Sequence, residues 1–206
     1  MHCPAPFRED RLDVLHDLIR ARPLATLITV GTDGLMANLV PFSLHEGGEH
    51  GILRAHLGRN HGQLDALRNG AEALVVFHGP EAYVTPSWYA SKAEHGKVVP
   101  TWNFVMVQAR GRPRVIEDAD WIHAQLAQLT ASHEDKREHP WTMADAPDGF
   151  VAALLSGLAG IEIPIDAIEG KWKASQNRSP ADRAGVAAGL RAEGSCAAMA
   201  DLVAGK

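Results

Sequence analysis

Ala25-Thr26-Leu27-Ile28-Thr29-Val30 is the stretch on which the fold class turns. Its β-branched residues suit a pleated, half-buried strand. Thr32-Asp33-Gly34 follows with the composition of a hairpin turn, and residues 35–44 supply a returning strand. Upstream the period is helical: Asp10 is a good N-cap, Leu12, Leu15, Leu18 and Ile19 recur on one face, and Pro23 closes the segment. Downstream, Glu46-Gly47-Gly48-Glu49 makes the next turn, and a third strand over 51–57 runs into Gly58-Arg59-Asn60-His61. Leu64 and Leu67 then predict a short helix ending at Asn69-Gly70.

Residues 72–79 form a nearly continuous apolar run, expected as a fourth strand covered on both faces and broken by Gly79-Pro80. A fifth strand begins at Tyr83-Val84 and yields to Pro86; a sixth spans 102–116. Six strands with short turns predict an antiparallel sheet able to close into a barrel. From Asp118 helical patterns dominate. Trp121, Ile122, Gln125, Leu126 and Leu129 share one face, and Phe150, Leu154, Leu155 and Leu158 another. One more strand is expected over 161–168, with Pro164 placing it on an edge or at a bulge. Ser179-Pro180 starts a further helix through the Ala-rich segment to Ala192. The expected fold class is mostly β with flanking helices, in a single domain over 1–206 whose helix-rich part begins at about 118.

The chain has 206 residues, 46% of them hydrophobic, enough for one sizeable core. No stretch approaches the roughly 18 apolar residues that span a bilayer, and the N-terminus lacks the regions of a signal peptide, so a cytoplasmic protein is expected. Cys3 and Cys196 form neither a CxxC pair nor a disulfide framework. A net charge of −5 gives no global positive field for a phosphate backbone, which counts against direct DNA reading.

Three segments could carry chemistry. Residues 54–61, with His56, Arg59, Asn60 and His61, end a strand and enter a short helix, so backbone N–H groups and basic side chains could converge on a phosphate; a solvated turn would have the same composition. Tyr83, Trp88, Tyr89, Trp102, Asn103 and Phe104 could build a flat slot with a polar rim for a heteroaromatic ring, or an ordinary aromatic core. Residues 170–178 hold Lys171, Lys173, Gln176, Asn177 and Arg178, a donor density that suits an acidic-ligand clamp, a nucleic-acid contact or a solvated loop. Lys171, Lys173 and Ser175 alternate as on a strand, which favours a cleft. No metal site is expected: His56 and His61 have no carboxylate or thiolate at ligand spacing, and HExxH is absent. GxSxG, Walker A and GxGxxG motifs are absent too.

Pro41-Phe42, Gly79-Pro80-x-Ala82-Tyr83-Val84-Thr85-Pro86-Ser87-Trp88-Tyr89, Val99-Pro100-Thr101-Trp102-Asn103 and Lys171-x-Lys173-x-Ser175-Gln176-Asn177-Arg178 together resemble the PaiB family of FMN-binding negative transcriptional regulators. The resemblance implies an antiparallel split β-barrel of the pyridoxamine-phosphate-oxidase type, usually a homodimer with FMN in a cleft between two barrels. It implies that the loop after the third strand holds the flavin phosphate, here His56, Arg59, Asn60 and His61. Further cofactor contacts are expected at Pro41, Phe42, Trp102, Asn103, Lys173, Gln176 and Arg178. The homodimer is expected also because the apolar strands around Leu35 and Leu74 need cover. A flavin-dependent sensor or regulator, with a DNA or protein partner, is the first expectation. An FMN-dependent oxidoreductase is the second, since a flavin brings its own hydride chemistry, although no catalytic acid or base stands out. A haem protein with His56 or His61 as axial ligand is the third.

Overall fold

The computed structural model describes residues 1–32 and 34–205. Asp33, at the tip of the expected hairpin turn, and Lys206, the last residue of the expected domain, lie outside them. In chain order the elements are β1 (Arg8–Glu9), α1 (Leu12–Ala21), β2 (Leu24–Gly31), β3 (Gly34–Pro41), β4 (Ser43–His45), β5 (Ile52–Gly58), α2 (Leu64–Arg68) and β6 (Ala73–Val84). There follow α3 (Ser91–His95), β7 (Thr101–Gly111), β8 (Arg114–Ile116), α4 (Ala119–Glu134), α5 (Phe150–Leu155), β9 (Leu158–Pro164), β10 (Ala167–Lys173), α6 (Pro180–Glu193) and α7 (Ala197–Ala204). They make two compact units, one of Met1–Leu18, His78–Val107 and Glu169–Lys206, the other of Ile19–Phe77 and Gln108–Ile168. No helix among the described residues is long and apolar enough to cross a membrane.

In the second unit β2 and β3 form an antiparallel hairpin in the register Ala25↔Val40 and Thr29↔Met36, and β2 pairs on its other side with β6 at Thr26↔Val76 and Ile28↔Leu74. Strand side chains alternate between faces. Ala25, Leu27 and Thr29 are therefore buried on one face, while Leu24, Val30, Leu35 and Leu39 of the other are more than half exposed. A second sheet has the order β4-β5-β9-β8. Leu53, Ala55 and Leu57 of β5 and Ile161 and Ile163 of β9 are buried on its inner face. On the outer face Glu162 is almost fully buried, held by Arg54 at 2.7 Å and by a second ion pair from Arg114. Trp121 of α4 covers this row. The Arg54 guanidinium stands 5.6 Å from its ring centroid, and Gly160 supplies the space, since a Cβ there would come within 2.3 Å of the indole. Asp118 caps α4 by accepting from the Trp121 N–H at 2.7 Å.

In the first unit the strand order is β1-β10-β7-β6. Leu15 of α1 presses onto β10 where Gly170 has no side chain; a Cβ would stand 2.2 Å from its Cδ2. Val84, Tyr89 and Val105 pack with Val186 and Leu190 of α6 and Met199 and Val203 of α7 in one apolar core. Ser179 caps α6 with Pro180 at its first position, as expected, and Ser91 donates from both its N–H and its hydroxyl to the Asp182 carboxylate at 2.9 Å each. Gly185 and Gly189, one turn apart on α6, make a flat place against which Trp88 lies.

The structure corrects several boundaries. The returning strand expected over 35–44 is two strands: Phe42 turns inward, its N–H donating to Pro23 at 2.8 Å and its ring meeting Phe77 edge-on at 6.2 Å, and β4 joins the other sheet. Gly79-Pro80 does not break β6. Gly79 is there because Val105 comes so close that a Cβ would meet it at 2.8 Å. The strand expected over 102–116 ends at Gly111, where the Pro164 carbonyl leaves no room for a side chain, and resumes as β8. β9 lies between β5 and β8, so it is not an edge strand, and Pro164 is tolerated because it is the strand's last residue.

A Cβ at Gly185 would lie 2.0 Å from the Trp88 carbonyl oxygen. Gly185→Ala is therefore expected to cost about 1–3 kcal/mol through overpacking, measured by urea unfolding. An unchanged midpoint would mean that Trp88 and α6 do not approach in this way.

Candidate functional site

The corner between β5 and α2, where a phosphate was expected, is pinned from below by one side chain. Gln63 is fully buried and donates from Nε2 to the Leu27 carbonyl at 3.1 Å and the Thr29 hydroxyl at 3.0 Å, while its Oε1 accepts from Asn38 at 3.0 Å. Its own N–H donates to His61 Nδ1 at 3.3 Å. An accepting Nδ1 puts the neutral ring's proton on Nε2, so His61 offers a donor away from the corner. Arg59 and Asn60 are exposed beside it.

Two of the backbone amides that the sequence offered to an anion are bonded within the fold. The Arg59 N–H donates to the Gly157 carbonyl and the His61 N–H to that of Gly58, each at 2.8 Å. Those two amides are committed within the fold, which leaves the side chains as the main donors for an anion here. The Arg59 guanidinium is itself shared, donating from Nε to the Ser156 carbonyl at 2.8 Å and lying 3.6 Å from Glu117. Arg68 also binds Glu117, at 2.8 Å; this hydrogen bond, and then the charge of Arg59, hold the Glu117 carboxyl below the usual carboxylate range. Sequence reasoning missed Glu117, which lies far along the chain from the corner it neutralises.

His56 is separated from these donors. It leaves the outer face of β5 toward α4, where its Nδ1 meets Gln125 Oε1 at 2.9 Å. Gln125 is 3% exposed and its Nε2 has no partner among the described residues, a buried donor that a polar group would satisfy. The signal was legible: Gln125 stood on an otherwise apolar helix face. Pro41 is half-buried at the end of β3 opposite Leu24, whereas Phe42 is in the core, so its ring is not free to stack on a ligand.

The first unit assembles the other expected residues around a cavity of about 200 Å³ lined by Phe7, Tyr89, Thr101, Asn103, Lys173, Ser175, Asn177 and Arg178. Lys173 at the end of β10 donates to the Thr101 hydroxyl at 2.6 Å and the Trp102 carbonyl at 2.7 Å. Burial, with the charges of Lys171 and Arg178, holds its pKa below the usual lysine value. Asn103 is buried and donates to the Ser175 hydroxyl at 2.9 Å. Ser175 has φ 61°, a left-handed conformation that few serines adopt. Gln176 turns away, its amide clasping Ala174 N–H and the Trp172 carbonyl within the loop. Trp102 is exposed and stacks edge-on with Tyr83 at 5.9 Å. Its ring is therefore accessible, while its carbonyl faces Lys173.

Antiparallel sheets flanked by helices are the architecture that this chain shares with solved proteins of the split-barrel fold. The family described as "Putative FMN-binding domain" matches residues 1–167, and the chain belongs to it. An uncharacterized protein of Emericella nidulans is 33% identical over 92% of this chain and 90% of its own length. The protease synthase and sporulation protein PAI 2 of Bacillus subtilis is 25% identical over 88% of this chain and 85% of its own. Among solved structures, the FAD and heme binding protein from Mycobacterium smegmatis superposes with a TM-score of 0.57 at 20% identity, over 81% of this chain and 73% of that one. The PaiB-type resemblance and the expected fold class are borne out, and the cofactor of this chain is a flavin.

Gln63→Ala would strand Thr29 and Asn38 beneath the corner. It is expected to cost about 1–3 kcal/mol per group left unsatisfied, measured by thermal unfolding. Stability equal to that of the parent chain would show that the corner is not fastened through this amide.

Proposed function

We propose that the chain is an FMN-holding sensor of the PaiB type, acting as a homodimer, with the flavin phosphate at the corner between β5 and α2. One observation carries the assignment: Arg59, Asn60 and the Nε2 face of His61 point outward from a corner that the buried Gln63 amide keeps rigid. Preorganised donors bind an anion without first being ordered. Arg59 would exchange part of its interaction with Glu117 for the phosphate, and Arg68 keeps Glu117 neutralised when it does. Bound FMN would supply a ring whose charge and shape change with its redox state.

The regulatory half of the proposal is supported by similarity to PAI 2, whose name joins it to protease synthase and sporulation. Action through a partner protein suits the net charge of −5 better than direct contact with DNA. The dimer is supported by the outer face of β2 and β3, where Leu24, Val30, Leu35 and Leu39 are all more than half exposed on one side of the hairpin. Patches of that kind mark interaction surfaces.

Arg59→Ala is expected to weaken FMN binding by about 1.5–3 kcal/mol, the range of a charge-assisted hydrogen bond, and to leave riboflavin binding unchanged. Fluorescence titration of apo-protein with both ligands measures it. Equal loss for the two flavins would remove Arg59 from the phosphate site.

Leu39→Asp, on the exposed face of β3, is expected to convert a dimer into a folded monomer, read as mass by light scattering. A parent chain that is monomeric at micromolar concentration with FMN bound would overturn the homodimer.

A further inference from the structure

The cavity of the first unit is built for an anion independently of where the flavin lies. Its lining holds two cations, Lys173 and Arg178, and no carboxylate. The nearest acid that acts on the site, Asp182, is already committed: both of its oxygens accept from Ser91, at 2.9 Å each. Lys173 spends two of its three N–H donors on Thr101 and Trp102, leaving one. Arg178 lies over the Tyr89 ring, 4.8 Å from its centroid, and pairs with no carboxylate among the described residues.

Tyr89 adds a second, independent sign. The residue is 3% exposed, and its hydroxyl has no hydrogen-bond partner among the described residues. The Arg178 guanidinium stands over the face of the ring, and its charge and N–H groups act on the phenol oxygen, but a guanidinium only donates and cannot accept the Tyr89 O–H. Burial pushes the Tyr89 pKa up, with the charge of Arg178 pulling the other way, so at neutral pH the group is an O–H donor that lacks an acceptor. Buried donors without acceptors are rare and costly in folded chains. Beside it, Ser175 is held in its left-handed conformation by the buried Asn103 amide. Strain of this kind is retained where the surroundings over-determine it, and it clusters at binding sites.

We propose that this cavity binds an oxyanion, a phosphate or carboxylate group, with Arg178 and Lys173 supplying charge and the Tyr89 hydroxyl supplying the third donor. The volume of about 200 Å³ admits such a group on a small molecule and excludes a whole isoalloxazine ring lying flat. A carboxylate or phosphate presents several lone-pair directions, so one group can satisfy all three donors at once. The Asn103–Ser175 pair sets the position of the backbone between Lys173 and Arg178 and is a positioning element that need not touch the ligand.

The same oxyanion chemistry is offered by a free small acid and by the phosphate of FMN, and the experiment separates them. Apo-protein is titrated with inorganic phosphate and with acetate at constant ionic strength maintained with sodium chloride, following the unfolding midpoint and tryptophan fluorescence. Saturable stabilisation by phosphate or acetate beyond that of chloride is expected, with affinity at least tenfold weaker in Arg178→Gln and Lys173→Gln and several-fold weaker in Tyr89→Phe. Lys173→Arg restores charge and is expected to retain binding. The Tyr89→Phe chain keeps the ring and its packing, so it stays informative should either charge variant fail to fold. FMN and riboflavin are then titrated into the same variants. Loss confined to FMN, with phosphate competing, assigns the oxyanion to the flavin and moves its phosphate away from Arg59; unchanged FMN affinity assigns the site to a separate small acid. Stabilisation no greater than that by chloride, or equal phosphate affinity in the parent chain and all the variants, overturns the site.

Discussion

The Gln63 carboxamide is the interaction on which the second unit depends. A primary amide buried without partners would cost several kilocalories per mole, and the Gln63 amide is satisfied only if β2, β3 and the start of α2 stand where they do. Leu27 and Thr29 present their oxygens from one strand, and Asn38 its amide from the next, in the register Leu27↔Asn38. A one-residue slip would send Asn38 to the opposite face and leave the glutamine unpaired. The amide thus acts as a register check on the hairpin and as the floor of the corner, and the same residue's N–H selects the His61 tautomer. Strand register and the geometry of the corner are coupled through one side chain.

That coupling explains why the hairpin can expose so much apolar surface without losing its register. Its inner face carries both the hydrophobic burial of Ala25, Leu27 and Val40 and a polar anchor, so register does not depend on the exposed leucines of the outer face. Leu35 and Leu39 are then free to be apolar for another purpose. Hydrophobic side chains at more than half exposure on adjacent strands are costly in a lone chain and favourable at an interface.

Much of this was legible in the sequence because periodicity and caps act locally. The first helix, the strand over 25–30, the helix beginning near Asp118 and the Ser179-Pro180 start all came from neighbouring residues and were found where expected, although the first helix begins at Leu12, one residue later than a cap at Asp10 would place it. The misplaced boundaries at Gly79 and Gly111 have a common cause. Each glycine was a packing requirement set by a residue far along the chain, Val105 or Pro164, and only the fold shows whether a glycine makes a turn or makes room. The site divides in the same way. Lys173 and Arg178 were visible as local donor density, and Asn103 as part of a motif, but nothing local ties Tyr89 to them or Glu117 to Arg59. α3, α7 and β1 went unseen, being short segments whose order comes from what they pack against.

The charge arrangement around Lys173 completes the physical picture of the first unit. Its pKa is lowered by burial first and by Lys171 and Arg178 second, so the folded chain holds that proton less tightly than the unfolded chain does. Between the folded and unfolded values the unfolded state binds more protons, and stability rises with pH; below the folded value the full penalty is present. Protonated Lys173 therefore carries a cost that its hydrogen bonds to Thr101 and Trp102 offset only in part, beside a Tyr89 hydroxyl that lacks an acceptor. Lys171 is partly relieved by the His2 carbonyl at 3.0 Å and the face of Phe104, whereas Arg178 has the face of Tyr89 and the charge of Asp182, with no ion pair to a carboxylate among the described residues. Selection for stability alone would remove such a cost by placing a carboxylate among the cations, as Glu117 is placed between Arg59 and Arg68 in the other unit. The two units thus treat clustered cations in opposite ways, one pairing them with a carboxylate and the other lining a cavity with them and no carboxylate.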